Sequence, residues 1–319
     1  MSRDLGPREL PRVPLGRTNL RITRLGLGSV PLGGKYQPIT TGQALETVRS
    51  ALQLGINWFD TAPRYGYGLA EQRLGMGLAG VPRDTYVLAT KVGWRVSPDG
   101  TKAPDFSRDG VERSIAASLE RLGAERIDIV HIHDPDDHYR PAIDEVFPAL
   151  AAMRAQGLIR AISVGMNQWQ MLIDFVHEAN VDCVLLAGRY TLLEQSALDT
   201  FLPLCQRKDI GVLLGSVYNS GILASGACPG ALYNYASAPG DVLHRVGRLE
   251  TICARHGVPL YVAALQFPLA HSAVTAIVVG ARSSTEVQAN VAALDMVIPA
   301  DLWTELRAEG LLLETAPTP

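Results

Sequence analysis

Eight times along the chain, a short apolar run precedes a longer stretch whose apolar residues recur with helical period. The short runs occupy residues 22–28, 56–62, 85–93, 126–134, 159–167, 181–188, 210–217 and 273–281. Strand-then-helix units repeated in this way need a parallel sheet with helices packed outside it. Eight such units in about 270 residues predict a (β/α)8 TIM barrel. The competing fold is an open doubly wound sheet, marked by G-x-G-x-x-G after its first strand. Gly26 and Gly28 fit that pattern, but Pro31 stands at the third glycine, so the barrel is preferred. The stretch "RVPLGRTNLRIT" reads as an N-terminal β-hairpin, with its turn at Thr18-Asn19, closing the bottom of the barrel. Residues 1–12 are expected to be a flexible arm, residues 13–313 the single barrel domain, and the tail "ETAPTP" mobile. Residues 218–240 form a long irregular loop after the seventh strand, a length usually kept for function.

Composition closes off several classes. A formal net charge of −3 argues against a nucleic-acid partner. The four cysteines, Cys183, Cys205, Cys228 and Cys253, include no C-x-x-C pair, so no metal site is expected and a reducing, cytoplasmic setting is. The first residues lack the apolar core of a signal peptide, and no apolar run of about 18 residues would span a membrane. The expected partner is a small-molecule substrate, with the protein a monomer or weak homo-oligomer.

Active sites of such barrels lie at the C-terminal ends of the strands. Asp60 ends the second strand, Lys91 the third and His133 the fourth, and Tyr65 follows in the loop after the second. Singly, each has a structural explanation: a helix cap, a solvated lysine, a core histidine. Four ionisable side chains converging on one mouth ask for a chemical one. A phenol, ordinarily titrating near 10, becomes more acidic beside an ammonium, and a partly buried ammonium needs a carboxylate. Lys91 and Asp60 are expected to fill those roles for Tyr65, while the His133 imidazole orients a carbonyl oxygen. The set can move a proton at a carbonyl or alcohol oxygen. It holds no evident nucleophile, so the second reagent is expected to be hydride from a nicotinamide cofactor.

The stretches "GINWFDTAPRYGYGLAEQRLG" (55–75), "LATKVG" (88–93) and "RIDIVHIHD" (126–134) resemble, in order, the signatures of the aldo-keto reductase family. The likeness runs from "LGRTNLRITRLGLG" to "NVAAL" and implies a catalytic set of Asp60, Tyr65, Lys91 and His133. It implies NAD or NADP as cofactor. Asn167 would meet the carboxamide, Ser216 the pyrophosphate, and Gly280, Arg282 and Asn290 the adenosine end. Ala187 and Gly215 stand where many members carry a glutamine and a stacking aromatic. Glu286 replaces an arginine of NADP-preferring members, and a carboxylate there would repel a 2′-phosphate, favouring NAD.

After His133 the chain reads "DPDDHY". Asp134, Asp136 and Asp137 suggest an acidic mouth suited to a polyhydroxylated substrate. Trp94 is a candidate wall for a sugar ring. "HDPD", "VGMNQW" and "NSGILA" resemble the aldose 1-dehydrogenase branch, with its L-fucose and L-galactose dehydrogenases and the related pyridoxal 4-dehydrogenases. The resemblance implies oxidation of a hemiacetal carbon to a lactone on L-fucose, L-galactose or D-arabinose. Oxidation of pyridoxal and general carbonyl reduction are the alternatives. Two rivals come from other classes: a metal-dependent hydrolase suggested by "HIH" (131–133), and a non-catalytic cofactor-binding subunit.

Overall fold

The computed structural model describes residues 9–35, 37–97 and 100–319. Its core is a closed barrel of eight parallel strands: β1 (Leu25–Gly28), β2 (Trp58–Asp60), β3 (Val87–Val92), β4 (Ile129–His133), β5 (Ala161–Met166), β6 (Cys183–Ala187), β7 (Gly211–Gly215) and β8 (Val274–Gly280). Each strand pairs with its sequence neighbour, and β8 closes on β1 through Ile277–Leu25 to Gly280–Gly28. The main helices are α1 (Thr41–Gln53), α2 (Leu69–Leu78), α3 (Arg108–Leu122), α4 (Phe147–Ala155), α5 (Trp169–Glu178), α6 (Phe201–Arg207), α7 (Gly240–Arg255), α8 (Leu260–Gln266), α9 (Ser284–Ala293) and α10 (Ala300–Ala308). Local chemistry starts several of them. Thr40 and Gln43 form a capping box on α1, and Ser107 and Ser283 cap α3 and α9.

Strand alternation sorts the side chains into two cores. Trp58, Val87, Ala89, Ile129, Ala161, Cys183, Leu185, Leu213, Ala276 and Val278 fill the barrel, while Phe59, Leu88, Val130 and Ile132 face the helices. Gly26 makes room for this filling: a Cβ there would lie 2.1 Å from the Trp58 ring.

The N-terminal hairpin pairs Arg12–Pro14 with Arg21–Thr23. Its connection runs through Leu15–Leu20 rather than a two-residue turn at Thr18-Asn19, with the Leu15 amide donating to Leu20 O at 3.0 Å. Leu15, Leu20 and Ile22 plug the barrel interior, and the Arg17 amide donates to Asp209 O ahead of β7. The expected arm of residues 1–12 falls mostly outside the described residues, but Leu10 is buried and Arg12 already lies in a strand. The tail also differs from expectation. Ala316 is buried, and Arg307 donates to Ala316 O and Thr318 Oγ1; just ahead of the tail, Gln195 bonds both Leu311 O and the Leu313 amide. Among the described residues no helix is long and apolar enough to cross a membrane.

Two excursions decorate the C-terminal mouth. A small hairpin after β3 pairs Trp94–Val96 with Lys102–Pro104. The long segment after β7 holds a short helix, Ile222–Ser225, and a hairpin pairing Leu232–Tyr233 with Ala236–Ser237.

Candidate active site

The barrel register brings Asp60, Lys91 and His133 to the inward face at the mouth. Asp60 pairs with Ala89, Lys91 with His131, and His133 with Gly165. Inward-facing strand ends are buried, so a lysine there must find a counter-charge. Lys91 Nζ lies 2.8 and 2.6 Å from the two oxygens of Asp60 and donates also to Thr61 O at 2.8 Å. Burial opposes ionisation of Asp60, but Lys91 and His131 outweigh it and hold the carboxyl below its ordinary value.

Tyr65 is delivered by its loop. Gly66, at φ 62°, presses on Gly33 so closely that a Cβ would come 2.3 Å from Gly33 O. Arg73 of α2 donates to Leu32 O and Ile39 O, tying the same two loops together. Buried Glu71 accepts from Thr90 and Arg121, fastening α2 to β3 and α3. The Tyr65 ring lies 5.0 Å from Lys91 Nζ and stands perpendicular to the His133 ring, with centroids 6.1 Å apart.

The electrostatics correct one expectation. Burial pushes the Tyr65 phenol well above its ordinary value, and the Asp60 charge adds to the shift. The Arg64 charge opposes the shift without overcoming it, while the Lys91 ammonium is held by both oxygens of Asp60. His133 goes the opposite way. Burial lowers its value well below that of free imidazole, with Lys91, Arg64 and His131 adding to the effect. At neutral pH the phenol therefore carries its proton and the imidazole is uncharged, and both can donate a hydrogen bond to one oxygen between them.

Two residues outside the expected set join it. His131 is fully buried, with Nδ1 2.8 Å from Ser163 Oγ and Nε2 3.3 Å from Asp60 Oδ1, the latter without hydrogen-bond geometry. That arrangement explains "HIH" as a prop for the buried ion pair. Among the described residues no three His, Cys, Asp or Glu side chains gather as metal ligands. Arg64 is the second. Its Nη1 lies 3.1 Å from Asp134 Oδ2 and its guanidinium 4.4 Å over the Trp94 ring. The alternation within "HIH" could signal His131; nothing local signals Arg64, a loop residue whose partners come from other loops.

Among the described residues, the acidic stretch after His133 brings one carboxylate to the mouth. Asp136 accepts from Gln168, Asp137 is exposed, and of the three expected aspartates Asp134 alone faces His133, with Oδ2 3.6 Å from Nε2. Around it stand cations: besides Arg64, Lys35 lies over Tyr235 and Lys102 over Tyr67. Trp94 has one face covered by Arg64 and its Nε1–H donated to His133 O at 2.7 Å. It is thus a support for the mouth more than an open wall.

The opposite rim carries the cofactor candidates. Asn167 is half-buried beyond β5, Ser216 sits beyond β7 at φ 53°, and exposed Gly280 ends β8. The inward ends of β5 to β8 are Gly165, Ala187, Gly215 and Gly280, so these four strand ends project no large side chain over the mouth. A Cβ at Gly215 would meet only ordinary contacts at 3.8 Å. The amino end of α9 lies beyond this rim, where backbone N–H groups favour an anion. A nicotinamide dinucleotide fits these donors and this emptied rim. Asn290 accepts from Tyr218 at 2.8 Å. Glu286 is not a free carboxylate: Arg282 donates to it from the backbone and guanidinium at 2.8–3.1 Å, and reaches Gln37 at 2.6 Å.

A proton-moving cluster at the mouth of a parallel eight-stranded barrel defines the protein by class, and comparison gives the family. Residues 24–309 match the model of the aldo/keto reductase family, and the chain belongs to it. The chain is 39% identical to pyridoxal 4-dehydrogenase of Microbacterium luteolum, covering 93% of this chain and 97% of that one. It is 38% identical to D-threo-aldose 1-dehydrogenase of a Pseudomonas species, over 93% of this chain and 96% of that one. A solved aldo-keto reductase from Bacillus halodurans, in its holo form, superposes with TM-score 0.79 at 26% identity, covering 97% and 99% of the two chains. The protein is an NAD(P)-dependent oxidoreductase.

Proposed function

We propose that the protein oxidises the anomeric carbon of a cyclic aldose to a lactone, with NAD as the preferred cofactor. The observation that carries this reading is the buried Asp60–Lys91 pair beneath Tyr65, with neutral His133 set at a right angle to it. The full-length likeness to an aldose 1-dehydrogenase supports the substrate class. The bound nicotinamide supplies the acceptor for hydride leaving carbon 1. His133 holds the anomeric oxygen through its ring N–H, and Tyr65, once its own proton has left to solvent, takes the hydroxyl proton on its phenolate oxygen as the carbon–oxygen double bond forms. Asp60 and Lys91 keep a fixed, mutually neutral charge pair under the phenol, so little reorganises during the proton shift. Asn167, Ser216, Gly280, Arg282, Glu286 and Asn290 are the proposed cofactor contacts. Arg282 already engaged by Glu286 and Gln37 supports NAD over NADP. The four unpaired cysteines suit a reducing compartment.

Pyridoxal is the second reading, supported by the 39% identical relative; its ring hemiacetal also yields a lactone. The test is spectrophotometric. L-fucose, L-galactose, D-arabinose and pyridoxal are each offered with NAD and with NADP, and products are identified by mass. Lactone from an aldose is expected. Efficient reduction of benzaldehyde-type substrates with no aldose oxidised would make the protein a general carbonyl reductase.

A further inference from the structure

Arg64 is held more tightly than a surface arginine needs to be. Its guanidinium lies flat over Trp94, and Nη1 is bonded to Asp134. Each anchor is itself fixed by the catalytic cluster. Trp94 donates to the His133 carbonyl, and its ring edge packs on Phe106 and His138. Asp134 follows His133 and takes a left-handed backbone, φ 44°, which a non-glycine residue adopts at a cost. Its amide donates to Gly165 O at 2.9 Å, locking that turn. The result sets Oδ2 between Arg64 and His133, 3.1 and 3.6 Å from their nitrogens. An ion pair this exposed (27% and 36%) contributes little to folding, so stability does not account for the strained turn and the stacked cation. Among the described residues the other guanidinium nitrogens and Asp134 Oδ1 make no hydrogen bond within the protein.

We infer that Arg64 and Asp134 form a donor–acceptor pair that reads the ring hydroxyl next to the oxidised carbon. This rests on the aldose reading above. The chain places Arg64 beside Tyr65 and Asp134 beside His133, so the two flank the oxygen handled by the catalytic pair. A hydroxyl on carbon 2 accepts from the guanidinium and donates to the carboxylate at once. Hydrogen bonds to charged partners of this kind are the stronger class. Arg64 is therefore a specificity-determining residue, and Trp94 the platform that pre-orients it.

The test compares kcat/KM for the best aldose and for its 2-deoxy analogue. The wild-type ratio is expected at roughly 10- to 100-fold, the range of charge-assisted bonds. Arg64→Leu is expected to bring it within about threefold, because the site then no longer distinguishes the two sugars. Arg64→Lys keeps a cation but not the planar fork, so it should give an intermediate ratio, and it carries the test if the leucine variant fails to fold. Asp134→Asn should also reduce the ratio. A wild-type ratio retained in Arg64→Leu, with the aldose still oxidised, overturns the inference and leaves the aldose reading standing. No aldose oxidation by the wild-type protein overturns that reading first.

Discussion

The mouth of the barrel has two unlike halves. The rim over β1 to β4 is crowded with charge and tied down: Lys91 on Asp60, Arg121 and Thr90 on Glu71, Arg64 on Asp134, and backbone on backbone at Gly33 and Gly66. The rim over β5 to β8 is emptied. Its inward strand ends are glycine or alanine, and its loops hold five non-glycine residues at positive φ, Ser216, Asn219, Ser220, Asn234 and Tyr235, against Tyr67 and Asp134 on the crowded rim. The contrast follows from the two tasks proposed for them. Moving a proton needs groups fixed before substrate arrives. Holding a large cofactor needs space and a few donors at its edge.

Breaking the crowded half should cost most. Tyr65→Phe removes the proposed proton shuttle, and general acid–base catalysis contributes roughly 10²–10⁴-fold. Turnover should fall by that factor in steady-state assays, with cofactor affinity by fluorescence titration nearly unchanged. Wild-type turnover in this variant would end the mechanism. Lys91→Met leaves Asp60 buried without its cation, a loss of about 3–5 kcal/mol when one partner of a buried pair is removed. Urea denaturation at pH 7 measures it. The sign with pH follows from the changed environment: without Lys91, Asp60 binds its proton more tightly folded than unfolded, so the deficit should shrink as pH falls. A deficit equal at pH 5 and pH 7 would show that the charge is relieved elsewhere, His131 being the nearest candidate.

A pH profile sharpens the comparison without mutation. Tyr65 titrates well above its ordinary value, so aldose oxidation, which must release a proton through it, should climb steadily from pH 7 to pH 10. Carbonyl reduction should stay flat across that range, since the phenol keeps its proton. His133 titrates well below its ordinary value, so neither direction should show an acid limb near pH 6.5. An oxidation rate that levels off at neutral pH would contradict the raised phenol.

The smallest effect is expected on the emptied half. Glu286→Gln loosens Arg282 without filling any space, and a freed guanidinium can meet a 2′-phosphate. The NADP-to-NAD ratio of kcat/KM should rise about tenfold, the scale of one charge-assisted hydrogen bond. No change would assign the preference to the backbone at the amino end of α9.

Sequence alone determined the parts that each segment carries by itself. Eight alternations of strand and helix period specify the barrel. Alternation along the strands sends Asp60, Lys91 and His133 inward, because a side chain's face depends only on its neighbours two residues away. Tertiary structure decided what depends on the meeting of distant loops. Arg64 became part of the site through Asp134 and Trp94, residues 70 and 30 positions later whose own placement rests on a left-handed turn and a bond to His133 O. Glu286, read alone as a repelling carboxylate, proved to be neutralised by Arg282. The phenol, expected to be acidified by a nearby lysine, is instead dominated by burial, with the Asp60 charge adding to it. Periodicity is a local property of the chain, whereas a charge's effect depends on everything packed around it, and only the folded structure brings those neighbours together.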